Sequence, residues 1–186
     1  MFRGINDEGI VVGYVANLDG SIVDGIIINT ATGALTRSSS FVDSTNSFLL
    51  GINNWRGLVG GYVVTPGSSQ YGTFVASYNS ETASFELEQD FGQLFPRTEV
   101  SPVITDTRLV KLEAASEFET SQYDFISGHL TVVSGAGGGL ALTGLGESGR
   151  YVGSEAVKSK SGIKRYPIAF EPGVGIRWRS GVVPSG

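Results

Sequence analysis

The chain has 186 residues with 13 basic and 18 acidic side chains, so its formal net charge is −5. That charge gives no electrostatic support for nucleic-acid binding, and the absence of cysteine excludes disulfides, thiol catalysis and zinc–thiolate sites. The length predicts one domain, 1–186, and the 27 glycines favour short strands joined by tight turns over long helices.

The first segment of the chain has the pattern of four short strands. "IVVGYVAN" is β-branched and aromatic and is followed by the hairpin turn "LDG". "SIVDGIIINT", "ALTRSSSFV" and "SFLLGIN" continue the pattern, with "ATG" and "DSTN" as the intervening turns. Four antiparallel strands in such a length are typical of one blade of a β-propeller.

This pattern recurs along the chain. "GINDEGIVVGYV" contains Ile5, and the similar "GINNWRGLVGGYVV" places Ile52 in the same position 47 residues later. "GLGESGRYVGSEAV" aligns without gaps with Leu145 as its anchor, and "VITDTRLVKL" supplies a degenerate copy anchored at Ile104. An apolar strand follows each anchor after 21 to 25 residues, at Ile26, Phe74, Phe125 and Phe170. The repeats predict four units at about 1–47, 48–97, 98–140 and 141–186.

The third unit departs from the strand pattern. "TRLVKLEAASEFE" contains no glycine or proline, is rich in helix formers, and spaces Leu109, Leu112 and Phe118 in a manner compatible with a helix. A decayed pair of strands is the expected structure of this segment, with a short helix near 107–119 as the alternative.

The expected fold is therefore all-β, with about four four-stranded antiparallel units in a β-propeller-like arrangement. Four units make the smallest closed propeller. The alternatives are an arc of a larger ring, including one completed by a longer chain, and an assembly of two chains, because terminal repeats must otherwise be covered.

"GINDEGIVVGY" and "GINNWRGLVGGY" resemble the HAF-type extracellular repeat, whose motif is approximately Gly-Ile-Asn-x-x-Gly-x-Val-Val-Gly. The residues that match it are Asn6, Gly9, Val12, Gly13, Asn53, Val59 and Gly60. The resemblance implies a propeller and an extracellular or cell-surface location in bacteria, without an assigned activity. Three features depart from it: Gly146 replaces the motif asparagine, the third copy lacks the glycines, and no histidine precedes the four apolar strands.

Two further observations bear on location. The N-terminal "MFRGINDEGI" lacks the basic and apolar regions of a signal peptide. Because the chain starts inside a repeat, a mature or excised segment of a longer protein is expected. No apolar run approaches the ~20 residues that a membrane helix needs, so membrane insertion is not expected.

Few residues are suited to catalysis. The single histidine, His129, lies in a strand-like run, and no Gly-x-Ser-x-Gly elbow is present. Asp7, Asp106 and Glu147 occupy equivalent repeat positions, and these carboxylates, with tyrosines, would be required by a polysaccharide hydrolase or lyase. Because Asn54 takes the same position in the second copy, we expect these side chains to cap backbone amides of their turns. No metal and no cofactor are expected.

Aromatic residues in the turns give a stronger indication of binding. Trp55 lies in the variable turn of the second repeat between Asn54 and Arg56, and Tyr71 and Trp178 lie in or next to loops. Aromatic rings beside amides are typical of sugar-binding surfaces, with packing between blades as the alternative role. We predict that Asn54, Trp55, Arg56, Tyr71 and Trp178 bind a polysaccharide or a protein partner. A structural piece of a larger ring, which self-associates without a ligand, is the third hypothesis.

Overall fold

The computed structural model describes residues 1–19, 21–38, 46–64, 71–94, 103–113, 119–134, 139–160 and 162–180. In this part of the chain, 16 strands form four sheets of four strands each. Every strand is antiparallel to its neighbours and pairs with the strands that precede and follow it within its sheet. The predicted all-β architecture of four four-stranded units is confirmed.

We call the sheets blades 1 to 4. Blade 1 contains β1 (Phe2–Ile5), β2 (Ile10–Ala16), β3 (Ile22–Asn29) and β4 (Leu35–Arg37), and blade 2 contains β5 (Ser47–Ile52), β6 (Gly57–Val63), β7 (Tyr71–Asn79) and β8 (Ser84–Gly92). Blade 3 contains β9 (Val103–Ile104), β10 (Leu109–Glu113), β11 (Thr120–Asp124) and β12 (His129–Ser134), and blade 4 contains β13 (Leu140–Leu145), β14 (Tyr151–Ser159), β15 (Gly162–Glu171) and β16 (Gly175–Arg179).

The four repeat anchors are structurally equivalent. Each ends the first strand of its blade and pairs with the residue six positions later, as in Ile5 with Val11 and Leu145 with Tyr151. The degenerate third copy keeps this pairing, between Ile104 and Val110. The repeat therefore extends through all four blades.

The strand composition of the first unit differs from the prediction. "SFLLGIN" was expected to be the fourth strand of unit 1, but its residues 47–52 form β5 and pair with β6 in blade 2. The first strand of blade 1 is instead β1 at Phe2–Ile5, a segment too short to show alternation in the sequence. The predicted strand at 34–42 is confirmed over Leu35–Arg37, and its residues 39–42 lie outside the described part.

Residues 109–113 form β10 between β9 and β11, as the strand interpretation expected, so the alternative of a helix near 107–119 is wrong there; residues 114–118 lie outside the described part. Val110, Lys111 and Leu112 are all buried, because neighbouring blades cover both faces of this sheet. A strand buried on both faces loses its alternating pattern, and here it resembles helical spacing. No helix among the described residues has the length and apolarity needed to span a bilayer.

In blades 1, 2 and 4, a glycine in the second strand permits a bulge in the first strand. The pairing register shifts in β1, β5 and β13, at 2–4, 49–51 and 142–144. A Cβ on the facing Gly13, Gly60 or Gly153 would collide with a carbonyl oxygen of the bulged strand. The glycines are required by this close approach of two backbones.

The core consists of three apolar clusters between successive blades. Ile10, Val12 and Ile27 of blade 1 pack against residues of blade 2 such as Leu58 and Phe74. A second cluster joins blade 2 to blade 3, and a third joins blade 3 to blade 4. Within the described residues the sheets do not close into a ring, so the four blades form an open arc.

Replacing Gly60 with alanine should lower the free energy of unfolding by about 1–3 kcal/mol, the usual cost of overpacking. The added methyl group would meet the Phe48 carbonyl oxygen and the Phe74 ring, neither of which can withdraw from the core. Urea unfolding followed by circular dichroism measures the change.

Gly146→Ala is the matched control, because its Cβ would have only the Arg150 carbonyl oxygen nearby, at 3.6 Å. We expect a change within about 0.5 kcal/mol for this variant. Equal unfolding midpoints for the two variants would contradict the proposed role of Gly60.

Candidate functional site

The four blades share one turn geometry between their first and second strands. We call these segments, at 6–9, 53–56, 105–108 and 146–149, the first turns. In each, the N–H of the fourth residue donates to the carbonyl of the first at 2.9–3.1 Å. The fourth residues have left-handed backbone, with φ between 63° and 75°, and they are Gly9, Arg56, Arg108 and Gly149.

The first residue of three turns fastens the turn with its side chain. Asn6 Oδ1 accepts the N–H of Ile10 at 2.9 Å, and Asn53 Oδ1 accepts the N–H of Gly57 at 2.7 Å. Thr105 Oγ1 has the same role in blade 3. These side chains are buried, so they also satisfy amides that water does not reach.

The asparagines also join neighbouring blades. Asn6 Nδ2 donates to the carbonyl of Asn53 at 3.3 Å, and Asn53 Nδ2 donates to the carbonyl of Thr105 at 2.9 Å. Gly146 has no side chain to form the equivalent bond in blade 4. The departure from the asparagine motif therefore removes one inter-blade donor.

The second residues of the first turns form a chain of hydrogen bonds across the blades, which we call the turn ladder. The N–H of Asp7 donates to Asn54 Oδ1, and the N–H of Asn54 donates to Asp106 Oδ1, both at 2.7 Å. The N–H of Asp106 donates to Glu147 Oε1 at 3.0 Å. Asn54 Nδ2 lies between two carboxylates and donates to Asp7 and Asp106, each at 2.8 Å.

The turn ladder gives Asp7, Asp106 and Glu147 a structural role. Asp106 and Glu147 cap backbone amides, as expected, but the amides belong to the preceding blade and not to the same turn. The Asp7 carboxylate instead accepts the side-chain amide of Asn54 in the following blade. A glycosidase needs two carboxyl groups that are free to act on the glycosidic bond, one as an acid and the other as a base or nucleophile. The clustering required by the hydrolase hypothesis is present, but the lone pairs are used in joining blades.

Two tyrosines are held in the protonated form. Burial and hydrogen bonds to Asp90 raise the pKa of Tyr62 to about 12. Burial also raises the pKa of Tyr151, whose hydroxyl donates to Gln122 Oε1 at 3.0 Å. Neither phenol is suited to act as a general base at neutral pH.

Arginines at the fourth turn position reach back to the preceding blade. Arg56 Nε and Nη2 donate to the Glu8 carboxylate at 2.8 and 3.1 Å, and this hydrogen bonding raises the pKa of Arg56. The Arg108 guanidinium lies over the Trp55 ring, 4.8 Å from its centroid. Glu8 and Trp55 both occupy the third position of their turns. In both contacts, therefore, the arginine at the fourth position of one turn reaches the third residue of the turn before it.

Trp55 remains exposed despite this contact, at 64% of its surface. Its ring borders two grooves that are rich in hydroxyl, amide and charged groups. One groove, of about 240 Å³, is also lined by Asn53, Gly57, Ser77, Glu88, Arg108 and Phe125. The other, of about 310 Å³, is also lined by Arg56, Ser77, Tyr78, Asn79, Ser84 and Glu86.

The structure brings three of the five predicted binding residues together. Asn54, Trp55 and Arg56 are consecutive in the first turn of blade 2, with Asn54 committed to the turn ladder. Tyr71 begins β7, whose other end lies beside this turn, so it is roughly 20 Å away at 3.3 Å per strand residue. Tyr71 packs edge-on against Phe48, with centroids 5.8 Å apart. Trp178 lies on β16 of blade 4 and is 54% exposed.

Arg108 was not identified from the sequence. It could have been found from its position, because Arg108 in the degenerate third copy is equivalent to Arg56 in the second. Glu86 and Glu88 were also missed, since their relation to Trp55 depends on the pairing of β7 with β8.

The turns between third and fourth strands form a second repeated set. Asn29 Oδ1 and Asn79 Oδ1 each accept two N–H groups of their own turn. Asp124 has the same position in blade 3 and accepts from the Ile126 N–H and the Ser127 hydroxyl. His129 is exposed on β12 next to this turn. The proximity of Asp124, Ser127 and His129 is therefore explained by turn capping.

No group of three or more histidine, aspartate or glutamate side chains among the described residues is arranged to hold a metal ion. Asp7 and Asp106 of the turn ladder are separated by the Asn54 amide, which donates one N–H to each carboxylate.

No protein-family model matches the chain, and no curated protein sequence matches it. Among solved structures, the chain is similar to the crystal structure of the tricorn protease, with 12% sequence identity and a TM-score of 0.56. The match covers 91% of this chain and 15% of that one, so this chain spans a small part of the length of its structural neighbour. At this identity the likeness shows a propeller-like fold alone.

The turn ladder predicts that Asn54→Asp lowers the free energy of unfolding by about 1–3 kcal/mol. The change keeps the shape but replaces two N–H donors with a third carboxylate between Asp7 and Asp106. Added salt should restore part of the loss by screening the repulsion. Chemical denaturation at low and high ionic strength measures both effects.

Asn79→Asp is the matched control. Asn79 uses its Oδ1 as an acceptor, and blade 3 has Asp124 in the same position, so we expect a change within about 0.5 kcal/mol. Similar losses in the two variants would show that Asn54 has no special structural role.

Asp124 should contribute to the dependence of stability on pH. Burial acts to raise the pKa of Asp124, but bonds from Ile126 and Ser127, together with nearby His129, outweigh it and lower the pKa below the ordinary 3.8. The contribution is therefore complete above the ordinary value and is lost as the pH falls through the lowered one. Asp124→Asn keeps the turn, as Asn29 and Asn79 show.

We expect the wild type and Asp124→Asn to have similar stability at neutral pH. Below pH 3.8, the ordinary aspartate value, the wild type should lose more stability than the variant. Thermal unfolding across an acid pH series measures this difference, and parallel curves would refute the assignment.

Proposed function

We propose that this protein is a non-catalytic, propeller-like binding module that recognises polysaccharide with the Trp55 surface. This surface consists of Trp55, Arg56, Ser77, Glu88 and Arg108 on the adjoining edges of blades 2 and 3. The proposal depends on one observation, the exposed Trp55 ring between two polar grooves.

The chemistry of the surface suits a sugar. An indole offers an apolar face to the C–H groups of a pyranose, while nearby hydroxyl, carboxylate and guanidinium groups bond to its hydroxyls. Arg56 and Arg108 are each held by a contact with the preceding blade, and Trp55 is held by Arg108 of the following blade. The surface is thus supported in one conformation before a ligand arrives, which reduces the entropy lost on binding.

The other first turns lack this combination. The residues equivalent to Trp55 are Glu8, Thr107 and Ser148, none of which is aromatic. Glu8 is paired with Arg56, and the Thr107 hydroxyl donates to the Glu147 carbonyl at 2.8 Å. Blade 2 therefore supports recognition better than its neighbours.

A non-catalytic role agrees with the use of the acidic side chains. The hydrolase or lyase alternative would draw on Asp7, Asp106, Glu147 or a tyrosine, and the three carboxylates accept hydrogen bonds in the turn ladder. Export to the bacterial cell surface remains part of the proposal, and it is supported by the absence of cysteine and the resemblance to HAF-type repeats.

Binding can be followed from each tryptophan separately, because the chain contains two. Trp178→Phe leaves Trp55 as the only indole. Titration of this variant with a panel of soluble polysaccharides should give a saturable change in Trp55 emission with at least one of them. Binding should also raise the melting temperature, since a ligand at ~100 times its Kd adds about 2.7 kcal/mol of stability.

Trp55→Phe is the matched variant, with Trp178 as its only indole. We expect weakened binding by calorimetry and no change in Trp178 emission. Full binding by Trp55→Ala, or a response from Trp178 alone, would refute the Trp55 surface. Release of reducing ends from a bound polysaccharide would refute the non-catalytic role, and binding of a protein in place of any glycan would refute the ligand class.

A further inference from the structure

The two ends of the arc expose positions that are buried at the junctions between blades. Val12, Val59, Lys111 and Val152 are equivalent residues on the face that each blade turns toward its successor. Val12 and Val59 are 0% exposed and Lys111 is 1% exposed, whereas Val152 is 59% exposed. Ala169, which pairs with Val152 across β14 and β15, lies on the same half-covered face.

Blade 1 exposes the face that blades 2 and 4 pack against the blade before them. Ile52 of blade 2 and Leu145 of blade 4 are buried against the preceding blade, but the equivalent Ile5 is 65% exposed. Ile5, Val11 and Ile28, with Phe2, Arg3, Gly4 and Thr30, line an open groove of about 520 Å³. This groove lies where the preceding blade packs at every other junction.

The turn ladder also ends in complementary groups. Each internal junction joins the N–H of one blade to the side-chain oxygen of the next. Among the described residues, the N–H of Glu147 has no acceptor, and the Asp7 carboxylate receives a bond from the Asn54 side chain but none from a preceding turn. A donor therefore stands at one end of the arc and an acceptor at the other.

We propose that blade 4 of one copy docks on blade 1 of a second copy, and that two such junctions close a ring of eight blades. Val152 and Ala169 of one copy cover Ile5, Val11 and Ile28 of the other, and the Glu147 N–H donates to the Asp7 carboxylate. The occupant is a second copy because blade 4 carries the apolar face and the turn donor that fit this groove. A ring of eight lies within the range of known propellers, and closure leaves neither end exposed.

The new junction lacks one bond that the junctions of blades 1 and 2 and of blades 2 and 3 have. Asn6 and Asn53 donate to the carbonyl of the next first turn, but Gly146 cannot. Gly146→Asn would supply this donor, and the space beside Gly146 admits a side chain. This variant should therefore bind its partner several-fold more tightly than the wild type.

Sedimentation equilibrium of the purified chain tests the assembly from micromolar to submillimolar concentration. We expect one discrete dimer in equilibrium with monomer. A monomer at all concentrations would overturn the proposal and would indicate closure within one chain or another partner. A series of ever larger oligomers would overturn closure by two copies.

Two charge variants test the direction of the contact. Ile5→Glu and Val152→Glu should each weaken dimerisation at least about tenfold, because each buries a carboxylate at both junctions. A mixture of the two variants can form one intact junction, so it should associate more tightly than either variant alone. No gain on mixing would overturn the head-to-tail arrangement.

Leu18→Glu is the control, since Leu18 is fully exposed in the hairpin between β2 and β3. It adds the same charge away from both end faces and should leave the dimer dissociation constant unchanged. Circular dichroism of all variants establishes that the monomers fold, as the exposure of Ile5 and Val152 predicts. A matching loss of association in Leu18→Glu would attribute the effect to net charge and overturn the proposed interface. An unchanged dissociation constant in Gly146→Asn would contradict the proposed register.

Discussion

The fold depends on one amide, the side chain of Asn54, at the centre of the turn ladder. Its Nδ2 donates to carboxylates of both neighbouring blades, while its Oδ1 accepts the backbone N–H of the preceding turn. Antiparallel sheets that meet face to face can slide, because apolar packing has little directional preference. Hydrogen bonds have narrow geometry, so the ladder fixes the position of each blade relative to the next. Asparagine suits this place because one planar group offers both donors and acceptors.

The same turns position the candidate binding surface. At the fourth turn position glycine adopts left-handed backbone freely, whereas an arginine there costs about 1 kcal/mol. Arg56 and Arg108 offset this cost by reaching the preceding blade, one to a carboxylate and one to the Trp55 ring. Trp55 therefore takes part in joining blades and still exposes most of its ring. The two hypotheses for this residue, packing and recognition, are compatible because Arg108 covers only part of its surface.

Much of the fold could be predicted because the turns recur. All four first turns have left-handed backbone at the fourth position, and three of them have a side-chain acceptor at the first, so similar residues return with the anchors from Ile5 to Leu145. The strand at 109–113 could not be told apart from a helix by its pattern, because burial on both faces removed its alternation. The sequence also could not show that Asp106 caps an amide of another blade. An aspartate is equally suited to capping its own turn and to capping a neighbouring one. The Trp55–Arg108 contact joins residues 53 positions apart, and it follows from the order of blades in space.

The direction of the turn ladder has a consequence for the ends of the arc. Each bond of the ladder that a backbone N–H donates runs to a side-chain oxygen of the following blade, so the first and last blades offer different groups at their free ends. A two-fold contact between like surfaces would bring donor to donor or acceptor to acceptor and leave both unsatisfied. Only a contact of unlike ends continues the pattern of bonds and apolar packing found inside the chain. The chemistry that arranges four blades therefore also determines which surface can meet each end.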